Sequence, residues 1–397
     1  MKRNIAIKYL LVLVFFVLHS FSVATSVPEK DFLEKTTELR KNVNIPLAYH
    51  PEALTEEVNQ KLDSTFQRFN KRHDFHGSVL VAKGGKVVFK QHYGYANFKE
   101  KTEIDDNSLF QLASVSKQFT AASVLILKDR GELSLDDKVT RFFPEFPYEE
   151  ATVRHLLNHT SGLPKYFWLA EHKWDKEHAP SNAEMMDLLS KEKLNPFFRP
   201  GANFDYSNTG YFVLSAIVEK VSGNSFADFV DREIFKPLNM RQSFVYSYGQ
   251  DSLREGQLSG YRLYRRRWHA AIPGTVNDAV VGDKNVYSTT EDLLKWVEGL
   301  NSGRLISEES LAEMYTKGST KYERKVPYGF GFRIKEDGEQ KVIYHNGRWN
   351  GFSTSLMQYP DEDLVVITLE HSSYNSMKYL NSKVKGLVEE NFTPTQR

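Results

Sequence analysis

The chain has 397 residues, among them 27 Phe and 20 Tyr, no Cys, and 52 basic against 51 acidic residues. That length is long for one simple domain and short for three, and it allows a sizeable core or an aromatic-lined cleft. Near-balanced charge argues against a nucleic-acid partner. The missing cysteine excludes disulfides, thiolate metal sites, a cysteine nucleophile and a lipidated N-terminal cysteine.

Residues 1–24 read as a secretory signal peptide. Lys2, Arg3 and Lys8 form a basic start, Tyr9 to Leu18 is an apolar run, and the small residues Ser22, Ala24 and Ser26 follow. Cleavage after Ala24 or Ser26 fits this pattern. The alternative, an uncleaved anchor, is disfavoured because a bilayer span needs about 20 apolar residues. Without residues 1–24 the chain carries 49 basic and 51 acidic residues, a net charge of −2 with His neutral. The expectation is an exported protein, periplasmic or extracellular, without a stable membrane span after cleavage. Lacking disulfides, it must draw its stability from its core.

Residues 25–60 are polar and mixed and read as a leader to a catalytic domain over 61–392. Residues 78–95 predict a hairpin, with Gly84-Gly85 turning between Ser78–Ala82 and Lys86–Phe89. A helix follows from Lys117 to Leu127 and ends at Gly131. Helical stretches are expected at 152–159, 183–192, 210–222, 226–235 and 291–300. Residues 241–285 show little periodicity and read as a loop excursion, with Arg265-Arg266-Arg267 a solvated run inside it. Strands are expected at Tyr328–Ile334, Lys341–His345, Phe352–Tyr359 and Leu364–Leu369, and a last helix at about 373–391. Strands at both ends with helices between them give an α+β fold: one antiparallel sheet built from both termini, flanked by helices. The sheet lobe takes about 61–110 and 326–392, and a mostly helical lobe is inserted over about 111–325.

Three short patterns carry chemistry. In Ser114-Val115-Ser116-Lys117, a serine hydroxyl needs a base, and positions i and i+3 share a helix face. A buried lysine loses its proton near neutral pH, and the helix N-terminus favours developing negative charge. Ser190-x-x-Lys193 and Ser382-x-x-Lys385 share the spacing but sit in charged tracts, whereas Ser114 follows Leu109-Phe110 and Leu112-Ala113. In Tyr206-Ser207-Asn208, a phenol near an ammonium can sit partly as phenolate and shuttle a proton, and the amide can hold the lysine or a substrate. Tyr95-Ala96-Asn97 and Tyr344-His345-Asn346 match in spacing but fall in strand-like runs. In His345-Asn346-Gly347, a strand glycine lets a substrate backbone approach.

Together these residues resemble the serine β-lactamase and penicillin-binding superfamily, in its class C β-lactamase-like branch. The resemblance runs over about 70–390. It includes His155-Leu156-Leu157-Asn158-His159-Thr160-Ser161-Gly162-Leu163-Pro164, Ile234–Met240 and Tyr287–Leu293. It implies a β-lactamase/transpeptidase-like fold and a serine hydrolase that forms an acyl-enzyme. Ser114 would be the nucleophile, Lys117 the group that helps deprotonate it and Tyr206 the proton-transfer residue. Asn208, His345, Asn346, Gly347 and Arg348 would contact substrate. The backbone N–H groups of Ser114 and Arg348 would form the oxyanion hole. Substrates would be a D-amino-acid peptide, an ester or a cell-wall (peptidoglycan) fragment; the alternatives are true β-lactam turnover and a non-catalytic penicillin-binding protein. Here His345 and Asn346 stand where many β-lactamases have Lys and Thr, which weakens the case for a β-lactam carboxylate as ligand.

No cofactor or metal is expected. His155 and His159 lie four apart on a helical stretch and could pair on a metal, but the family stretch around them favours a structural role. Tyr166, Phe167, Trp168 and Trp174, like Tyr261, Tyr264 and Trp268, either line a groove or cover the helical lobe.

Overall fold

The computed structural model describes residues 56–397 apart from 265–267, 339, 374–376 and 390–397. The stretch read as a signal peptide, the rest of the expected leader up to residue 55 and the Arg265-Arg266-Arg267 run lie outside the described residues.

Six antiparallel strands form the main sheet: β1 (Gly77–Lys83), β2 (Lys86–Tyr93), β3 (Arg333–Asp337), β4 (Gln340–Trp349), β5 (Phe352–Tyr359) and β6 (Leu364–Glu370). Their spatial order is β3-β4-β5-β6-β1-β2. The join between the two sequence halves is β1 against β6, with Gly77 opposite Glu370 and Lys83 opposite Leu364. Both strands are buried nearly end to end, so their mixed Val, Leu and Ile runs face apolar layers on each side. Gly84 and Gly85 close the β1–β2 hairpin at φ 58° and 68°, values a side chain would disfavour.

Among the described residues ten α-helices surround the sheet: α1 (Glu56–His73), α2 (Lys117–Asp129), α3 (Val153–Leu157), α4 (Tyr166–His172), α5 (Asn182–Glu192), α6 (Asn208–Ser222), α7 (Phe226–Val230), α8 (Thr290–Asn301), α9 (Glu308–Met314) and α10 (Met377–Glu389). One sheet face is covered by α1 and α10, which pack on each other. Val58, Leu62, Phe66 and Phe69 of α1 recur at helical spacing and join Val79, Val81, Phe89 and Val366 in one core. The opposite face carries Leu80, Leu356, Ile367 and Leu369 into the larger core shared with α2 and α8. Every residue of α2 from Lys117 to Leu127 is buried. It is a central helix, and Lys117 is the only charged residue in that stretch. Among the described residues no helix is long and apolar enough to cross a membrane.

Three differences from the sequence reading have physical causes. The helix α1 starts at Glu56, inside the stretch read as leader, because its apolar stripe covers the sheet. The first C-terminal strand starts at Arg333 rather than Tyr328. Gly329 and Gly331 turn the chain there, Gly329 N–H donates to Phe332 O at 2.9 Å, and Gly331 takes a φ of 76°. The excursion over 241–285 holds short strands: Phe244–Val245 pairs with Val286–Ser288, and Tyr261–Tyr264 with Trp268–Ala271.

Phe66 is fully buried with its ring 5.6 Å from Phe75 and 5.5 Å from Tyr93. Phe66→Ala is expected to destabilise the protein by about 3–5 kcal/mol, read as a lower denaturant midpoint. A loss under about 1 kcal/mol would mean that α1 is an appendage and not part of the core.

Candidate active site

Ser114 sits in a 3-10 turn, Ala113–Ser116, that runs straight into α2. Ala113 before it takes φ 48°, a left-handed conformation unusual for a residue with a side chain. The turn is braced from outside. Leu112 N–H donates to Val286 O at 2.8 Å, Val286 N–H donates to Ser116 Oγ at 3.0 Å, and Thr354 Oγ1 donates to Leu112 O at 2.7 Å. These contacts hold a strained backbone.

One helical step on, Lys117 is fully buried. Its Nζ lies 2.6 Å from Asp283 O, 2.8 Å from Asn208 Oδ1 and 3.3 Å from Ser114 Oγ. Burial lowers its pKa from 10.5 to about 7; the Asp283 carboxylate opposes this fall and Arg333 adds to it. A neutral amine has two N–H bonds and one lone pair. The two shorter contacts are to oxygens that only accept, so they take both N–H bonds. The lone pair is left for the Ser114 hydroxyl.

Tyr206 comes from the other side. Its ring centroid is 5.0 Å from Lys117 Nζ, and its hydroxyl is buried without a partner that meets hydrogen-bond geometry. Burial raises its pKa, although the neighbouring Ser114 hydroxyl and Arg333 pull the other way. The resting group is therefore a phenol, which corrects the expectation of a partial phenolate. The loop is locked at both ends: Ser207 caps α6 by accepting from Gly210 N–H, and Ser207 N–H donates to His159 Nδ1 at 3.0 Å. That bond gives His159 its role beneath the Tyr206 ring, 4.3 Å between centroids. Its family partner His155 instead accepts from Thr152 N–H in the cap of α3. Each histidine thus spends its Nδ1 on a backbone N–H.

The alternation of β4 decides the third motif. Gly347 faces the Ser114 turn, where an added Cβ would fall 2.3 Å from Leu112 O and 3.0 Å from Ala113 Cβ. His345 shares that face but is 1% exposed. Its Nδ1 donates to Asn346 O and its Nε2 accepts from Tyr328 Oη at 2.9 Å. Burial holds it neutral, and its ring braces Tyr328. Asn346 and Arg348 point to the other face. Asn346 Oδ1 accepts from Ser355 Oγ, which in turn accepts from Asn381 of α10. The assignment of these two side chains to substrate is corrected; a role for the Arg348 backbone N–H is untouched. With His345 in place of the motif lysine and Arg348 on the far face, β4 brings no charge to the site. Arg333 supplies one on the correct face, with its guanidinium carbon 5.1 Å from the Tyr206 ring centroid and no carboxylate paired with it among the described residues. Nothing in the sequence near Arg333 marks it, since it enters from the start of β3. The competing Ser190-x-x-Lys193 pattern ends at a left-handed helix cap, φ 46° at Lys193, and holds no such cluster.

Elsewhere, Asp74, His76 and His269 bring three potential metal-ligating atoms within 4.8 Å of one another. Yet His76 Nδ1 accepts from Tyr95 N–H at 3.0 Å, so its Nε2 carries the proton and donates to Asp74. A metal on that nitrogen requires the opposite tautomer. The cluster is a hydrogen-bonded clasp.

A model of the family described as "Beta-lactamase" matches residues 62–385. Penicillin-binding protein 4* of Bacillus subtilis is 35% identical over 320 residues, 78% of this chain and 71% of that protein. A D-aminopeptidase of Brucella anthropi is 28% identical over 296 residues, 74% of this chain and 55% of the relative, so the match spans just over half of that enzyme. Among solved structures, the octameric penicillin-binding protein homologue from Pyrococcus abyssi superposes with a TM-score of 0.72 at 26% identity, covering 84% of this chain and 77% of that one.

If the free amine of Lys117 is what activates Ser114, modification of Ser114 by a fluorophosphonate rises about tenfold per pH unit on the acid side and levels off above about 7. A rate that is flat from pH 5 to 8 would contradict the lone-pair assignment.

Proposed function

The chain belongs to the Beta-lactamase family of serine hydrolases, and from that premise we propose that it cleaves an amide or ester through an acyl-enzyme on Ser114. The observation that carries this reading is the Lys117 amine, whose two N–H bonds are taken by Asn208 and Asp283 and whose lone pair faces Ser114 Oγ.

The proton path follows from the two opposite shifts. Neutral Lys117 takes the Ser114 proton as Oγ attacks the carbonyl carbon. The backbone N–H groups of Ser114 and Arg348 hold the oxyanion. Tyr206, still a phenol, gives its proton to the leaving amine or alkoxide as the scissile bond breaks, and the Lys117 ammonium restores it. Arg333 over the Tyr206 ring steadies the transient phenolate. The proton lost by Ser114 thus ends on the leaving group, and both catalytic groups return to their starting forms. Water then enters by the reverse path and frees the acid product.

Gly347 lets β4 pack directly against the Ser114 turn, which brings the strand alongside the nucleophile. The unpaired Arg333 favours a substrate with a carboxylate near the cleaved bond. The relatives named above, a penicillin-binding protein and a D-aminopeptidase, support a D-amino-acid peptide or cell-wall fragment as that substrate. Residues 1–24, which read as a signal peptide, fit export to the compartment where such fragments occur. With Asn346 on the far face, the strand offers a β-lactam no motif hydroxyl, and the charge at the site comes from Arg333, outside the motif.

Three outcomes are expected on one preparation. A fluorophosphonate labels the unmutated protein and not Ser114→Ala. Arg333→Gln raises KM about tenfold or more for a peptide ending in a free carboxylate and much less for its amide, the change expected on losing a charged contact. Nitrocefin turns over more slowly than a p-nitrophenyl ester. Labelling that persists in Ser114→Ala would refute the nucleophile, and fast nitrocefin turnover would refute the substrate class.

A further inference from the structure

Directly behind Lys117 lies a second buried ionic group that the mechanism above does not use. Asp283, whose backbone oxygen receives the Lys117 amine, has its side chain 1% exposed, and the adjacent Lys284 side chain is 3% exposed. Fully buried Tyr166 ties them together. Its hydroxyl donates to the Asp283 carboxylate, at 3.1 and 3.2 Å from the two oxygens, and accepts from Lys284 Nζ at 2.8 Å. Lys284 Nζ is also 3.3 Å from Asp283 Oδ1 and 3.4 Å from Val280 O. Three aromatic rings surround it, those of Phe167, Trp349 and Tyr166, with centroids 5.1, 5.2 and 5.5 Å away. An oxyanion, two uncharged acceptors and a ring of π-faces form a socket for an ammonium ion. Burial lowers the Lys284 pKa below the ordinary lysine value, against the pull of the Asp283 and Asp278 carboxylates, which favour its charge.

A lone carboxylate at this depth would hold Lys117 as an ammonium ion, because an opposite charge a few ångströms away favours the charged form. That would disable the base. We propose that Lys284 is a positioning residue for this site: by cancelling the Asp283 charge behind Lys117, it leaves the Lys117 amine neutral and its lone pair free for Ser114. The inference rests on the acyl-enzyme reading above. Around Lys117 the other charged or titratable groups are Arg333, Tyr206, Tyr211 and the two buried neutral histidines His159 and His345. None of them is an acid that could replace Asp283. Around Lys284 the remaining groups are Tyr166 and Asp278, and Asp278 is itself engaged by the side chains of Trp349 and Asn350.

The test is the pH dependence of fluorophosphonate labelling of Ser114 in the full-length protein. Lys284→Met should move the acid limb up by about one unit or more, the usual effect of an uncompensated opposite charge. At pH 6 labelling should then fall about tenfold, while the high-pH plateau stays within about threefold. Asp283→Asn should move the limb down, since Lys284 then repels the Lys117 ammonium alone. The double variant Asp283→Asn/Lys284→Met should return it near its starting point, and Lys284→Arg should leave it there. The opposite signs of the single variants keep the test decisive even if one of them fails to fold. A limb that stays fixed in both singles, or a plateau that falls without any shift, would overturn the proposal and leave the pair a packing element. Absence of Ser114-dependent labelling in the unmutated protein would instead fall on the acyl-enzyme reading itself.

Discussion

The structure turns on one amine kept out of water. Lys117 lies on the most buried helix of the fold, held at 2.6 Å by a backbone carbonyl and at 2.8 Å by the Asn208 side chain. Burial without a paired carboxylate at the nitrogen lowers its pKa from 10.5 to about 7. This works against folding. The unfolded chain binds that proton more tightly, so the penalty is full below about pH 7 and fades as the pH rises toward 10.5. The two large cores on either side of the sheet offset it, and a protein without disulfides has no covalent alternative. The strained φ at Ala113 is a second local cost at the same place.

The remaining site elements follow from fixing that amine. Asn208 must reach it, so α6 must begin there, and Ser207 caps it. The cap puts Tyr206 just ahead of the helix, over Lys117, and the bond from Ser207 N–H to His159 fixes the turn. Gly347 must let β4 run against the Ser114 turn, which sets the register of the strand and sends Asn346 and Arg348 to the far face. His345, buried beside the site, becomes a brace for Tyr328.

Much of this was legible in the sequence. The Gly84-Gly85 hairpin, the apolar helix after Ser114 and the C-terminal strands carry their own periodicities, and Ser114, Lys117, Tyr206 and Asn208 do converge. What could not be read depends on contacts between distant segments. Whether a β4 side chain faces the site or α10 depends on register, and a one-residue step reverses it. The signal for Arg333 is absent because a cation at the start of an edge strand looks like any solvated residue. The Asp283-Lys284 pair likewise looks like surface charge, and only the fold shows it sealed under Tyr166 and Trp349. The phenol of Tyr206 looks ionisable in the sequence because its neighbour is visible there and its burial is not.

The most direct test of the account is the ionisation of Lys117 itself. Lysine labelled with 13C at Cε, with the Lys117 signal assigned by its disappearance in Lys117→Arg, can be followed by NMR as the pH is raised. The account predicts a resonance that titrates near pH 7, more than three units below the ordinary lysine value. A Lys117 signal that stays in the ammonium position beyond pH 9 would contradict it, because the lone pair on which the chemistry depends would not exist at working pH.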